Sequence, residues 1–278
     1  MAIRIWAGND ATTPYDWSVT GNWQGGTVPV STDDVYIPAG SAKITAGLNQ
    51  SAVSLSSLTI QEGYDQDIGS ATGYLQIGTS SLVVDSSGGQ QFINLGSSSV
   101  SPEIRGTGTA GTGERALNLL GSAIATLSVN AGSVGVAIAG DETSTVTTAR
   151  VLTGSLLLGS GVTLTTLYQR GGSVDQRCAS TTSELQGGTL ETSNSGTITT
   201  ANVYGGTFIS NSSGTVTTLN AYGGSVDFNQ SSVARTVTTL NIYANDPVTL
   251  MVDEEYMTIT NYNEPTGVPF SATYSRAV

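Results

Sequence analysis

Short runs in which apolar and polar residues alternate recur along the chain, separated by clusters of Gly, Ser, Thr and Asn. After the pair Gly223-Gly224, Val226 and Phe228 flank the polar Asp227. The same alternation joins Leu156 to Leu158, Val134 to Val136 and Val248 to Leu250. A period of two in β-branched runs of three to five residues predicts strands. The clusters between them supply positive φ and local side-chain turn bonds. No long 3.6-residue period appears, and Gly, Ser, Thr and Val disfavour helix.

The runs belong to a repeat. Val216-Thr217-Thr218-Leu219-Asn220-Ala221-Tyr222-Gly223-Gly224-Ser225-Val226 aligns with the segments that begin at Ile198, Leu164, Val146 and Ile124, and with a downstream copy at Val237. The starts are spaced by 22, 18, 34, 18 and 21 residues, and the gap of 34 holds a shortened copy around Leu185-Gln186-Gly187-Gly188-Thr189-Leu190. An early copy is Leu55-Ser56-Ser57-Leu58-Thr59-Ile60. A sandwich also has short, turn-bounded strands. It does not need one side-chain class at one place in every repeat, whereas parallel coils stacked about 4.8 Å apart do. The fold expected is an all-β parallel β-solenoid (β-helix) with coils of about 18 residues. In this reading 49–250 form the solenoid, 1–48 an N-terminal aromatic cap or docking segment, and 251–278 a C-terminal cap or arm.

Two features suggest where such a coil would meet a partner. Trp6, Trp17 and Trp23 all fall in the first segment. An open solenoid end needs a cap, and large aromatics suit its core; the alternative is stacking on a glycan or docking on a partner. The residue before the glycine pair forms a second column, which runs through Arg170, Gln186, Tyr204, Tyr222 and Tyr243. Alternation from Ala221 and Val203 turns it outward. Tyr204, Tyr222 and Tyr243 are therefore candidate contacts for sugar or for another subunit, with plain ladder stabilisation as the competing role.

Charge narrows the partners. Charged residues make up 11% of the chain and the net charge is −12, with one lysine, Lys43, and no basic cluster. A phosphate-backbone binder needs several cations, so neither nucleic acid nor an anionic membrane surface is expected. No apolar run approaches the length of a membrane span. The N-terminus shows no apolar signal-peptide core, which predicts synthesis in a cytoplasm without export.

Catalytic constellations are sparse. With no histidine, no Ser-His-Asp or Cys-His site can form. Cys178 is the single cysteine and reads as a small core or surface residue. The Gly-Gly pairs are turns that open no helix, so no phosphate cradle is expected. Asp175 and Asp227 share one column but stand three coils, about 14 Å, apart, whereas glycosidase carboxylates stand roughly 5 to 9.5 Å apart. Glu184 and Glu191 fall on different segments of the coil. Asp253-Glu254-Glu255 reads as a solvated turn, with cation binding as the alternative. The chain is expected to be no enzyme and to need no cofactor or metal.

The units 197–208 and 215–226, with the entry Asn22-Trp23 to Val28-Pro29 and Asp33-Asp34-Val35, resemble β-helical phage virion proteins and, more weakly, autotransporter passengers. The resemblance implies a capsid decoration (cement) protein, typically a homotrimer clamping the major capsid protein in the phage head. Its alternatives are a glycan-binding tail fibre or spike and, further off, a polysaccharide-degrading β-helix.

Overall fold

The computed structural model describes residues 1–108, 115–243, 248–253 and 255–264, together with the backbone of the strand Ser271–Ser275. The chain is an all-β parallel β-solenoid of about 10 turns at a spacing of about 21 residues, with two parallel sheets. Helix is confined, among the described residues, to the 3-10 turn Thr20–Asn22. The chain divides into two compact units, 1–147 and 148–278.

In the second unit the repeat sets the register residue by residue. One sheet contains Val162–Gln169, Ser180–Leu185, Ile198–Val203, Val216–Ala221, Arg235–Ile242 and Met257–Asn263. The other contains Ser155–Leu158, Ser173–Gln176, Thr189–Thr192, Thr207–Ser210, Gly224–Asp227, Val248–Asp253 and Ser271–Ser275. Ile198 pairs with Val216 and Val216 with Val237; Ala201, Leu219 and Leu240 form a second rank. Those side chains are buried, as are Phe208 and Val226 from the facing sheet. The core is thus a column built from one small set of positions repeated coil after coil, so few apolar residues per coil suffice.

The coil length is not constant. Ser180 to Ile198 to Val216 gives two coils of 18 residues, but Leu164 to Ser180 gives 16 and Val216 to Val237 gives 21. The shortened coil puts polar residues at inward positions. Gln176 Nε2 donates to Ser180 Oγ at 2.9 Å, and Ser183 Oγ donates to Gln176 Oε1 at 3.1 Å, all three being buried. Buried polar groups are tolerated when they bond one another. Cys178 lies beside this network, buried, with its thiol pushed up to about 12 by desolvation.

The glycine pairs have a steric cause. Gly188 and Gly206 hold φ of 79° and 76°. A Cβ on Gly188 would stand 2.2 Å from Gly172 O, and one on Gly206 2.5 Å from Gly188 O. Each second glycine therefore stacks on the carbonyl of the one before it. No side chain fits at that corner, which keeps the column glycine.

The first unit stacks by the same rule with longer turns. Ile3–Ile5, Asp34–Ile37, Ser57–Ile60, Leu82–Asp85, Glu103–Gly106 and Ile124–Val129 form one ladder. Asn49–Leu55, Leu75–Thr79, Gln91–Asn94, Leu117–Leu120 and Ser133–Val136 form the other. The parallel sheets thus reach into both terminal segments: Ile3 pairs with Asp34, and Arg235 with Met257. Between the first two strands, the excursion 6–33 packs its tryptophans together. Trp17 and Trp23 rings lie 4.7 Å apart edge-on, and Trp6 stacks 6.3 Å from Trp17. Asn22 ties the excursion down: its Oδ1 accepts from Asp10 N at 2.8 Å while its Nδ2 donates to Thr13 O and Asp16 O. Asp10 accepts from the backbone and hydroxyls of Thr13 and Thr12, which lower its carboxyl to about 2.

Candidate functional site

The outward face of one sheet in the second unit carries three ladders. In Ile198–Val203 the inward positions are Ile198, Ala201 and Val203, so Thr199, Thr200 and Asn202 face out, and Tyr204 follows on the same side. Stacking in register lines Thr200 up with Thr218 and Thr239, and Asn202 with Asn220 and Asn241. β-branched threonines suit such a face.

The asparagines form one directional chain. Asn220 Nδ2 donates to Asn202 Oδ1 at 2.9 Å, Asn241 Nδ2 to Asn220 Oδ1 at 2.7 Å, and Asn263 Nδ2 to Asn241 Oδ1 at 2.8 Å. Asn220 and Asn241 each donate to the coil before and accept from the coil after. Glu184 stands in register before Asn202. The inter-strand spacing, close to the reach of an amide-to-amide bond, is what permits such ladders.

The tyrosines stack beside them. Tyr204 and Tyr222 rings are 4.8 Å apart and 8° from parallel; Tyr222 and Tyr243 are 4.5 Å apart at 10°. Tyr204 and Tyr243 are 44% and 40% exposed, so the column is a surface feature. Burial between its neighbours, with their own phenols adding to it, raises the Tyr222 hydroxyl pKa. Both faces of the Tyr222 ring are taken by its neighbours, which leaves ring edges and hydroxyls to a partner.

Trp6, Trp17 and Trp23 sit elsewhere and are 0%, 0% and 3% exposed. Of the two places open to them, they occupy the core, and they offer no open ring face. Trp6 Nε1 donates to Ala42 O and Trp23 Nε1 to Trp17 O, while Trp17 Nε1 has no hydrogen-bond partner.

The carboxylates of the other sheet bring a relationship that sequence reading passed over. Asp175 pairs in register with Glu191, Glu191 with Ile209, and Ile209 with Asp227. Asp175 and Asp227 are three coils apart, as the repeat predicts, yet Glu191 is the immediate neighbour of Asp175. The signal lay in aligning Gly171-Gly172-Ser173-Val174-Asp175 with Gly187-Gly188-Thr189-Leu190-Glu191, an offset of 16. Each carboxylate has its own partners. Arg177 Nη2 lies 2.7 Å from Asp175 Oδ2, Ser193 Oγ donates to Asp175 Oδ1, and Asn211 Nδ2 donates to Glu191 Oε1 at 2.8 Å. The Ser193 and Asn211 bonds cross-link successive coils, whereas the Arg177 contact lies within one coil.

Of the acidic run at 253–255, Glu254 lies outside the described residues. Asp253 is buried and accepts from Glu255 N at 3.1 Å, as in a tight turn. No helix of the described residues is long and apolar enough to cross a membrane. No family model matches the chain, and neither a curated protein nor a solved structure proves similar to it.

Proposed function

We propose that the chain is a structural protein of a phage virion, of the decoration type, which attaches to the major capsid protein as a homotrimer through an outward solenoid face. The observation that carries the docking part is the stack Tyr204–Tyr222–Tyr243 beside the amide chain Asn202–Asn220–Asn241–Asn263. Side chains already ordered by their neighbours lose little freedom when a partner arrives, which favours association. Tyrosine edges supply apolar area with a hydrogen-bonding hydroxyl, the combination enriched at protein interfaces. The solenoid fold and the sequence resemblance support placing that interface on a virion. Extra interface spread across capsid subunits would raise the barrier to their separation.

Virions purified from cells that make the chain test this reading. Electron microscopy should place the chain on the head at a fixed ratio to the capsid subunit. Heads lacking it should rupture at a lower temperature, and Tyr222→Ala should reduce occupancy. Density on the tail, or heads equally robust without the chain, would overturn it.

A further inference from the structure

The second unit ends on an open strand edge. Met257–Asn263 pairs with Arg235–Ile242 on one side, and among the described residues no strand lies on its other side. Tyr256 O accepts from Arg235 N. Bonding alternates along a parallel pair, so Thr258 turns its amide and carbonyl toward Arg235–Ile242, while Met257 and Ile259 turn theirs to the open side. No described backbone group bonds them there. Such edges are usually short, covered, or broken by proline or lysine. The first strand of the other unit follows that rule: Ile3–Ile5 is three residues long, and Gln24 N closes on Ile5 O at 3.0 Å. Met257–Asn263 is seven residues long and holds no proline, glycine or charge.

Two further features define what the edge would take. The first is that both the apolar rank and the amide chain stop there without a final partner. Ile259 stands in register on Val237, which is 1% exposed, yet Ile259 is only half-buried. Asn263, an exposed residue, donates through Nδ2 to Asn241 Oδ1 at 2.8 Å, and its own Oδ1 takes no donor among the described residues. The polarity of the chain of amides thus calls for a donor on the next strand, a role open to lysine, arginine or an amide and closed to a carboxylate. The second feature is charge. Between Arg235 and Arg276 the sequence holds Asp246, Asp253, Glu254, Glu255 and Glu264 and no lysine or arginine. Glu255 and Glu264 flank the edge and are exposed, and Glu264 also accepts from the Tyr262 hydroxyl at 2.9 Å. That field attracts cations.

We infer that this edge is a strand-addition site for an extended segment of another protein that bears lysine or arginine. Backbone bonds to Met257 and Ile259 supply affinity, and side chains on alternate positions supply selectivity: apolar ones cover Ile259, and cationic ones meet Asn263 Oδ1 and the flanking carboxylates. A second copy of this chain is disfavoured, because its matching edge brings the same acids. The inference does not rest on the capsid reading, since a peptide can join this edge whatever the outward face docks on.

The test is fluorescence anisotropy of a labelled, end-capped peptide, Lys-Val-Thr-Val-Lys-Val-Thr-Val-Lys, titrated with the full chain. It should bind saturably in the micromolar to millimolar range and protect the amides of Met257 and Ile259 from hydrogen exchange. A peptide with proline for each valine keeps the charge but cannot join a ladder. One with glutamate for each lysine keeps the strand but reverses the charge. Each should bind at least tenfold more weakly. Ile259→Pro removes an open N–H at a position where an edge strand tolerates proline, and should weaken binding at least tenfold. Glu255→Lys combined with Glu264→Lys should weaken it several-fold with little change in melting temperature. If Ile259→Pro fails to fold, the charge variant and the proline peptide decide. No saturable binding, equal binding of the proline peptide, or full-strength binding by every folded variant would overturn the inference. So would self-association of the chain that Ile259→Pro abolishes, which would assign the edge to a second copy.

Discussion

The ring of Tyr222 lies 4.5 Å from that of Tyr243 and within 10° of parallel to it, although 21 residues of chain separate them. The repeat creates that contact, since a residue one coil on is a nearer neighbour than most residues on the same coil. Tyr222 also stacks on Tyr204, so Tyr222→Ala removes two aromatic pairs at once. At about 0.5–1.5 kcal/mol for each pair, less for partial exposure, the loss should be about 1–2 kcal/mol. Repeat arrays lose cooperativity, so hydrogen exchange is the better probe: amides of Val216–Ala221 and Arg235–Ile242 should lose protection, while Tyr222→Phe keeps it. Equal protection in all three proteins would refute a stabilising role for the stack.

How much of this was legible in the sequence follows from coil length. Where coils keep 18 residues, as from Ser180 through Ile198 to Val216, the consensus places inward, outward and corner residues correctly. The outward tyrosine column was readable there without coordinates. In the first unit the coils vary more widely, from 17 residues between Leu117 and Val134 to 31 between Ile3 and Asp34. No fixed offset aligns them, and Ile3–Ile5 and Asp34–Ile37 carry no visible copy of the repeat. The pairing of Asp175 with Glu191 was missed because the coil between them is two residues short. The burial of Phe92 and Asn118 was out of reach for a different reason. Phe92 and Asn118 are outward by alternation, and only the path of the covering chain reveals that they are buried.

The asparagine chain has a polarity that a single oxygen can test. In Asn220→Asp at neutral pH, the new carboxylate still accepts from Asn241 but has no hydrogen for Asn202 Oδ1. Turning Asn202 over would bring its oxygen toward Glu184, one coil back. The folded state therefore disfavours the charged form and raises the pKa of the introduced carboxyl. A raised folded value means that stability is fully present below the unfolded value, about 4 for aspartate, and is lost as pH rises through the folded one. Melting of the variant should approach that of the parent in acid and fall below it at pH 7. A deficit independent of pH would show that the directional ladder is not what the substitution breaks.

Acid should act oppositely on the first unit. Asp33 is buried and accepts from Arg4 Nε at 2.8 Å and from Ala2 N at 2.8 Å. The Arg4 hydrogen bond, with the backbone donors, holds its carboxyl below the usual range despite desolvation. A depressed folded value contributes stability above the unfolded value of about 4, lost as pH falls through the folded one. Asp33→Asn should melt earlier than the parent at neutral pH, and the difference should shrink on acidification below pH 4. Parallel curves down to the acid limit would assign the loss to packing instead.

Arg235 presents the sharpest energetic test, because it is a guanidinium at 2% exposure on an inward-facing strand. Its Nη1 donates to Ser210 O at 2.7 Å and its Nη2 to Ser231 O, while Nε has no partner. Asp227 and Asp253, both buried, supply the opposing charge that offsets part of its desolvation. Removing one member of a buried charge group leaves the others uncompensated, at a cost of about 3–5 kcal/mol. Arg235→Met, similar in length and apolar, should therefore lower the melting temperature and expose Arg235–Ile242 to hydrogen exchange, because Ser210 O loses its donor as well. Asp253→Asn in the same chain should restore part of the loss by removing one orphaned charge. If Arg235→Met alone melts at or above the parent, the desolvation of the guanidinium outweighs its bonds, and the buried charge is a cost that the coil bears rather than a source of its stability.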